Sequence, residues 1–215
     1  MMCRIGPPGG EFTLWPVAAV DGTWLHLDGT ADQHDVGSAL CALYFAGGGS
    51  TAGSTDEAVH ELIGFDTLYA PGGLLLRDNG TSVEPGPRSE LFAWRTWLAA
   101  LYRAEIDLGP GPWVEYVGPG MGAEVGAEVG PEVGPEVGPD VGPDVVRVWP
   151  GEGRAGPYVD VARQALPGML RQVQRDLTGF LGALRTWAAT HSPDQTELLV
   201  AAVDAGLEIT EPLPL

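Results

Sequence analysis

The sequence predicts an α+β domain: one antiparallel, twisted sheet of about five to seven strands, helices on one face, and a C-terminal pair of helices. Three observations lead there. Short runs of strand formers are broken by turn pairs such as Asp21-Gly22 and Asn79-Gly80. Apolar residues recur every three or four positions over Ser89–Arg103 and Pro167–Ala189. Hydrophobic residues make up 44% of the chain and seven are Trp, which argues against global disorder.

Taken in order, FTLWPVAAVDGTWLHL (12–27) reads as a hairpin turning at Asp21-Gly22, with Pro16 consigning its first strand to an edge or a bulge. A short apolar segment follows at 36–46, then a Gly/Ser/Thr loop and a helix at 56–64 starting near Asp56. Thr67–Ala70, a turn at Pro71-Gly72-Gly73, Leu74–Arg77, Asn79-Gly80 and Thr81–Val83 form a second strand group. Ser89–Arg103 is a helix capped by Ser89, with Leu91, Trp94, Leu98, Leu101 and Tyr102 on its apolar face. WVEYV (113–117) and VVRVW (145–149) are strands. The last third is helical. Leu170, Val173, Leu177, Phe180, Leu181, Leu184 and Trp187 line one face of the first helix. Ser192, Pro193 and Gln195 begin a second, which ends near Gly206. Residues 1–10 and 210–215 read as flexible termini around a single domain.

Between the strands at 113–117 and 145–149 lie six copies of a four-residue unit, GAEVGAEVGPEVGPEVGPDVGPDV, residues 122–145. Gly opening every unit, with Pro directly after it in four of the six, removes donors and helix propensity, leaving turns and polyproline-like extension. In that extension each carboxylate is rotated by roughly 120° and set about 12 Å from the last, so no side of the segment gathers acids for calcium. The reading is a hairpin whose tip, 118–144, is a mobile acidic insertion; lengthening a loop costs only about 0.6 kcal/mol per doubling.

The formal charge is −18, only six negatives come from the repeat, and all eleven cations are Arg. Such a surface disfavours nucleic acid and anionic membranes, which need clustered cations. No segment is apolar enough to span a bilayer, and MMCRIGPPGG has no apolar signal region. Two cysteines make no disulfide framework. The chain therefore reads as a reduced, soluble, cytoplasmic protein.

Candidate chemistry is sparse. Gly47-Gly48-Gly49 with Ser50 and Thr51 lacks the lysine of a phosphate loop and reads as a linker. His60-Glu61 opens like a zinc-protease helix, but position 64 is Gly. No nucleophile elbow exists, and Cys41 in ALCALYF reads as core. One metal or acid–base candidate stands out: Asp28 beside His26 on a strand, then Asp32, His34 and Asp35 in a loop. The plainer reading there is a solvated acidic loop. Trp94 and Trp97 are the candidate ligand or partner surface, against core packing as the plainer reading. No cofactor motif is present.

PGGLLLRDNGTSVEPG (71–86) with LFAWRTWL (91–98), and VVRVWPGEGRAGPYVDV (145–161) with LPGMLRQVQRDLTGFL (166–181), resemble a family of small acidic proteins from high-GC bacteria. The resemblance spans about half the chain, carries no catalytic signature and implies no activity; it implies a coherent folded domain. Relatives carry adjacent cysteines where this chain has Gly86-Pro87-Arg88, so thiol or metal chemistry at that place is not implied here. By elimination, the function expected is a noncatalytic protein-binding module, immunity- or inhibitor-like, with a basic protein partner. The alternatives are a metal-dependent hydrolase built on the Asp28–Asp35 cluster and a small-molecule binder at Trp94 or Trp97.

Overall fold

A computed structural model describes residues 1–5, 12–18, 24–50, 52–86, 89–108, 111–118, 144–151, 154 and 156–215, without the side chains of Cys3 and Arg4. Mixed helix and sheet is what it shows, but the strands divide between two antiparallel sheets. The first, in order β2-β1-β3-β4, comprises β1 (Met2–Ile5), β2 (Leu25–His26), β3 (Gly72–Asp78) and β4 (Thr81–Val83). The second, in order β5-β6-β7, comprises β5 (Trp113–Val117), β6 (Val145–Trp149) and β7 (Val159–Ala162). β7 runs close to β3 and β4, yet no ladder joins the sheets among the described residues. A single sheet of five to seven strands is therefore not found.

Residues read as part of a loose N-terminus supply an inner strand of the first sheet. β1 pairs with β3, Ile5 opposite Gly72, and also with β2, Ile5 opposite Leu25. Of the hairpin expected at 12–27, residues 12–18 form no strand, and its proposed turn at Asp21-Gly22 lies outside the described residues. Its first half packs on α1 (Gln33–Ala46) instead. The Trp15 indole N–H donates to the Gly37 carbonyl (2.8 Å), and the Pro16 carbonyl lies so near Gly37 that a Cβ there would sit 2.2 Å away. Pro16 offers no ladder donor, whereas the Trp15 ring finds Phe12 at 4.5 Å and Trp187 at 5.4 Å between centroids.

Asn79 (φ 44°) and Gly80 (φ 84°) turn β3 into β4 as a two-residue loop that needs positive φ at both positions. Thr67–Ala70 is not a strand, and Gly72-Gly73 belongs to β3 and not to a turn. β5 and β6 pair as expected, Trp113 opposite Trp149 and Val117 opposite Val145. Residues 119–143, most of the repeat, lie outside the described residues. The last repeat unit is different: its Val145 opens β6, and its Asp144 carboxylate bridges Arg103 (2.9 Å) and Arg163 (2.7 Å).

Residues Leu91–Tyr102 coil, but as a 3₁₀ helix. Its buried residues are Leu91, Trp94, Trp97 and Ala100, one every third position, as three residues per turn requires. Ser89 does not cap it; its hydroxyl accepts from the Gly86 amide (2.9 Å) and donates to the Leu108 carbonyl (3.2 Å).

The remaining helices are α2 (Thr55–Ile63), capped by Ser54, α3 (Leu166–His191) and α4 (Thr196–Leu207). All seven apolar positions read for α3 are buried. The joint between α3 and α4 is locked to α2: the buried Ser192 hydroxyl donates to Asp56 (2.5 Å) and Gln195 donates to the Asp56 carbonyl (3.0 Å). α4 ends at Glu208 in the left-handed region (φ 51°) and not at Gly206, which lies against Leu68. The C-terminal tail is fastened. Arg95 donates to the carbonyls of Glu208 and Glu211, and Gln174 donates to those of Ile209 and Glu211. Both sheets and all these helices share one apolar core.

Candidate functional site

A concave surface lies where β3, the 3₁₀ helix and the stretch around Asp107, Leu108 and Pro112 meet: a cavity of about 310 Å³. Gly73 and Leu74 of β3 form one side, Pro85 and Pro112 another, and Trp94 and Trp97 the floor. The Ser89 hydroxyl holds the two loop segments together, and Gly111 lets them close, since a Cβ there would fall 2.8 Å from the Ser89 Oγ. Gly73 takes φ +145°, a conformation glycine tolerates, with Pro85 only 3.3 Å from where a Cβ would stand.

Trp94 and Trp97, the residues expected as a ligand or partner surface, are 1% and 2% exposed. The Trp94 indole donates to the Leu207 carbonyl (2.8 Å). They are core residues that also line the cavity. Its open aromatic is Phe92, 40% exposed, which meets Tyr69, 45% exposed, edge-on at 5.9 Å. Two carboxylates, Glu90 and Asp107, also line it. The Glu90 side chain is half-buried and makes no hydrogen bond or ion pair with any described residue. No Arg or His lines the cavity among the described residues. Sequence reading missed Glu90 as a site residue because an acid before a helix reads as dipole compensation.

The acid–histidine cluster is placed differently from expectation. Asp32 is the N-cap of α1, so His34 and Asp35 lie in its first turn and not in a loop. The Asp32 carboxylate accepts from the amides of His34 (2.8 Å) and Asp35 (2.9 Å), while the Asp35 carboxylate accepts from the Asp32 amide (3.2 Å). The Asp35 amide, then that of His34 and the His34 ring, hold the Asp32 carboxyl below its usual range. Asp28 sits in a separate arrangement, accepting from the Thr30 amide (2.7 Å) and hydroxyl (2.6 Å) and lying 3.2 Å from the His26 ring. Burial pushes the Asp28 carboxyl up, but the Thr30 bonds and His26 outweigh it and leave it low. These carboxylates bind their own backbone, and no group of three or more His, Cys, Asp or Glu is arranged to hold a metal among the described residues.

The glycine loop serves packing: a Cβ at Gly47 would fall 2.3 Å from the Phe65 ring, and at Gly49 2.3 Å from the Tyr44 ring. Cys41 is fully buried, and burial pushes its thiol up to about 12, far from a nucleophile's range. Glu61 of the failed zinc motif accepts from the Tyr44 hydroxyl (2.8 Å). His191 ends α3, stacked on Trp187 with centroids 4.6 Å apart. No helix of the described residues is long and apolar enough to cross a membrane.

No family model matches the chain, and neither a curated protein nor a solved structure is similar to it.

Proposed function

We propose that this chain is a noncatalytic, acidic protein-binding module, inhibitor- or immunity-like, that captures a basic protein partner in the cytoplasm. The observation that carries the reading is how the cations are placed. Six of the nine arginines whose side chains are described, Arg95, Arg103, Arg147, Arg154, Arg163 and Arg185, each pair with an acid of the chain itself. Exposed acids such as Asp66, Glu105 and Asp194 meet no cation among the described residues. With a formal charge of −18, the surface field is outwardly negative and attracts a basic partner over about a Debye length. The Tyr69–Phe92 pair supplies exposed aromatic area of the kind that anchors interfaces.

The test is selection from a random displayed peptide library, followed by association kinetics of the enriched peptides at rising salt. Enrichment of Arg- and Lys-rich sequences is expected, with association slowing at least tenfold between low and high salt. Enrichment of neutral or acidic peptides, or rates indifferent to salt, would sink the reading.

A further inference from the structure

We infer that the cavity beside the 3₁₀ helix is the receptor for one arginine side chain of the basic partner, with Glu90 as its counter-ion and Phe92 as its stacking surface; this rests on the proposed binding function. Glu90 is the starting point. Its carboxylate meets no cation among the described residues, and an arginine delivered by a partner supplies the opposite charge. Asp107 adds a second negative group to the lining. Leu74, Pro85, Leu108 and Pro112 suit an alkyl stem, beside the hydroxyl residues Ser89 and Thr96.

Size favours a side chain over a larger ligand. At about 310 Å³ the cavity stands at the small end of ligand pockets, roughly 300–1,000 Å³. Arginine fits better than lysine for a geometric reason. A planar guanidinium stacks on an aromatic face and forks onto a carboxylate, whereas an ammonium does neither as well. The same device recurs inside this molecule: Arg147 lies 4.0 Å over the Tyr158 ring while forking onto Asp160 through two bonds, and Arg95 lies 5.0 Å over Trp94. Tyr69 stands outside the cavity beside Phe92, where the residue next to the arginine would rest.

The experiment titrates the full-length chain with N-acetyl-arginine amide, its citrulline counterpart, agmatine, and a capped tripeptide carrying leucine beside arginine, read from amide NMR shifts. Saturable shifts at Gly73, Ala93 and Thr96 are expected with the arginine amide, at least roughly tenfold weaker with neutral citrulline. Glu90→Gln should weaken arginine binding by a similar factor without changing the melting temperature. The tripeptide should bind more tightly than agmatine, and Tyr69→Ala should remove that advantage. Equal binding of arginine and citrulline, an unaffected Glu90→Gln variant, or agmatine binding as tightly as the tripeptide would each overturn the assignment. Salt-dependent capture of basic peptides that survives Glu90→Gln would overturn this inference alone and leave the module's electrostatic function standing.

Discussion

Asp32 shows how much one carboxylate can organise. It opens α1 by accepting from two orphan amides, while Asp35 three positions on returns the bond to the Asp32 amide. Replacing it with alanine should cost about 1 kcal/mol of unfolding free energy at neutral pH, and Asp32→Asn much less, because the amide oxygen still accepts. The dependence on pH follows from the lowered carboxyl. A group whose folded pKa lies below its unfolded value, near 3.9 for aspartate, stabilises fully above that value and loses the contribution as pH falls through the folded one. Urea denaturation of wild type and Asp32→Ala should therefore show a gap at pH 7 that closes in acid. An equal gap at both ends would mean the ionised carboxylate contributes nothing. The same residue explains why the metal reading from sequence was attractive and incomplete: Asp, His and Asp at short spacing look identical as ligands or as a cap until the backbone amides are seen.

The 3₁₀ helix is where local structure departs furthest from its sequence pattern. Leu91 and Trp94 fit either helix type, but Leu98 belongs to the α reading and Trp97 to the three-residue one, and it is Trp97 that is 2% exposed. Trp97→Ala should cost roughly 3–5 kcal/mol, as for buried tryptophan generally, whereas Leu98→Ala should fall well below the 2–5 kcal/mol of a buried leucine. Equal costs measured by chemical denaturation would favour an α-helical face and dissolve the floor of the cavity with it. Much of the rest was legible. α3 could be read because seven apolar positions over about five turns outvote any single exception, and the β3–β4 hairpin because Asn79-Gly80 admits few alternatives. What escaped depended on distant partners. β1 is four residues in an apparently loose terminus, and it is a strand only because β3 and β2 flank it. The C-terminal tail carries two prolines and no periodicity, yet Arg95 and Gln174, over 30 positions away, hold its carbonyls. The cavity was illegible for the same reason, since it is assembled from β3, the 3₁₀ helix and a loop that only packing brings together.

At the scale of the whole molecule, the pairing of β5 with β6 decides what the repeat is to the fold. Val117 and Val145 are opposite each other, so everything from Gly118 to Asp144 is, topologically, the tip of one hairpin. The boundary of the dispensable part is sharp, however. Asp144 shares its carboxylate between Arg103 of the 3₁₀ helix end and Arg163 before α3, and Arg163 also donates to the Leu101 carbonyl (2.6 Å). This clasp ties the second sheet to both helices, and its two arginines, the Arg163 bond first, hold the Asp144 carboxyl low. Joining Gly118 to Asp144 through Asn-Gly would keep the clasp and leave a four-residue loop suited to a tight turn. Because closing a shorter loop costs less entropy, that variant should unfold cooperatively and be as stable as the parent or more so, by up to about 2 kcal/mol. Carrying the cut one residue further, so that Asp144 is also lost, should lower the melting temperature below the parent's, since Arg103 and Arg163 would then face each other without their common anion. If both deletions melted alike, Asp144 would be as dispensable as the units before it. If the shorter deletion failed to fold, the acidic track would belong to the folded body itself.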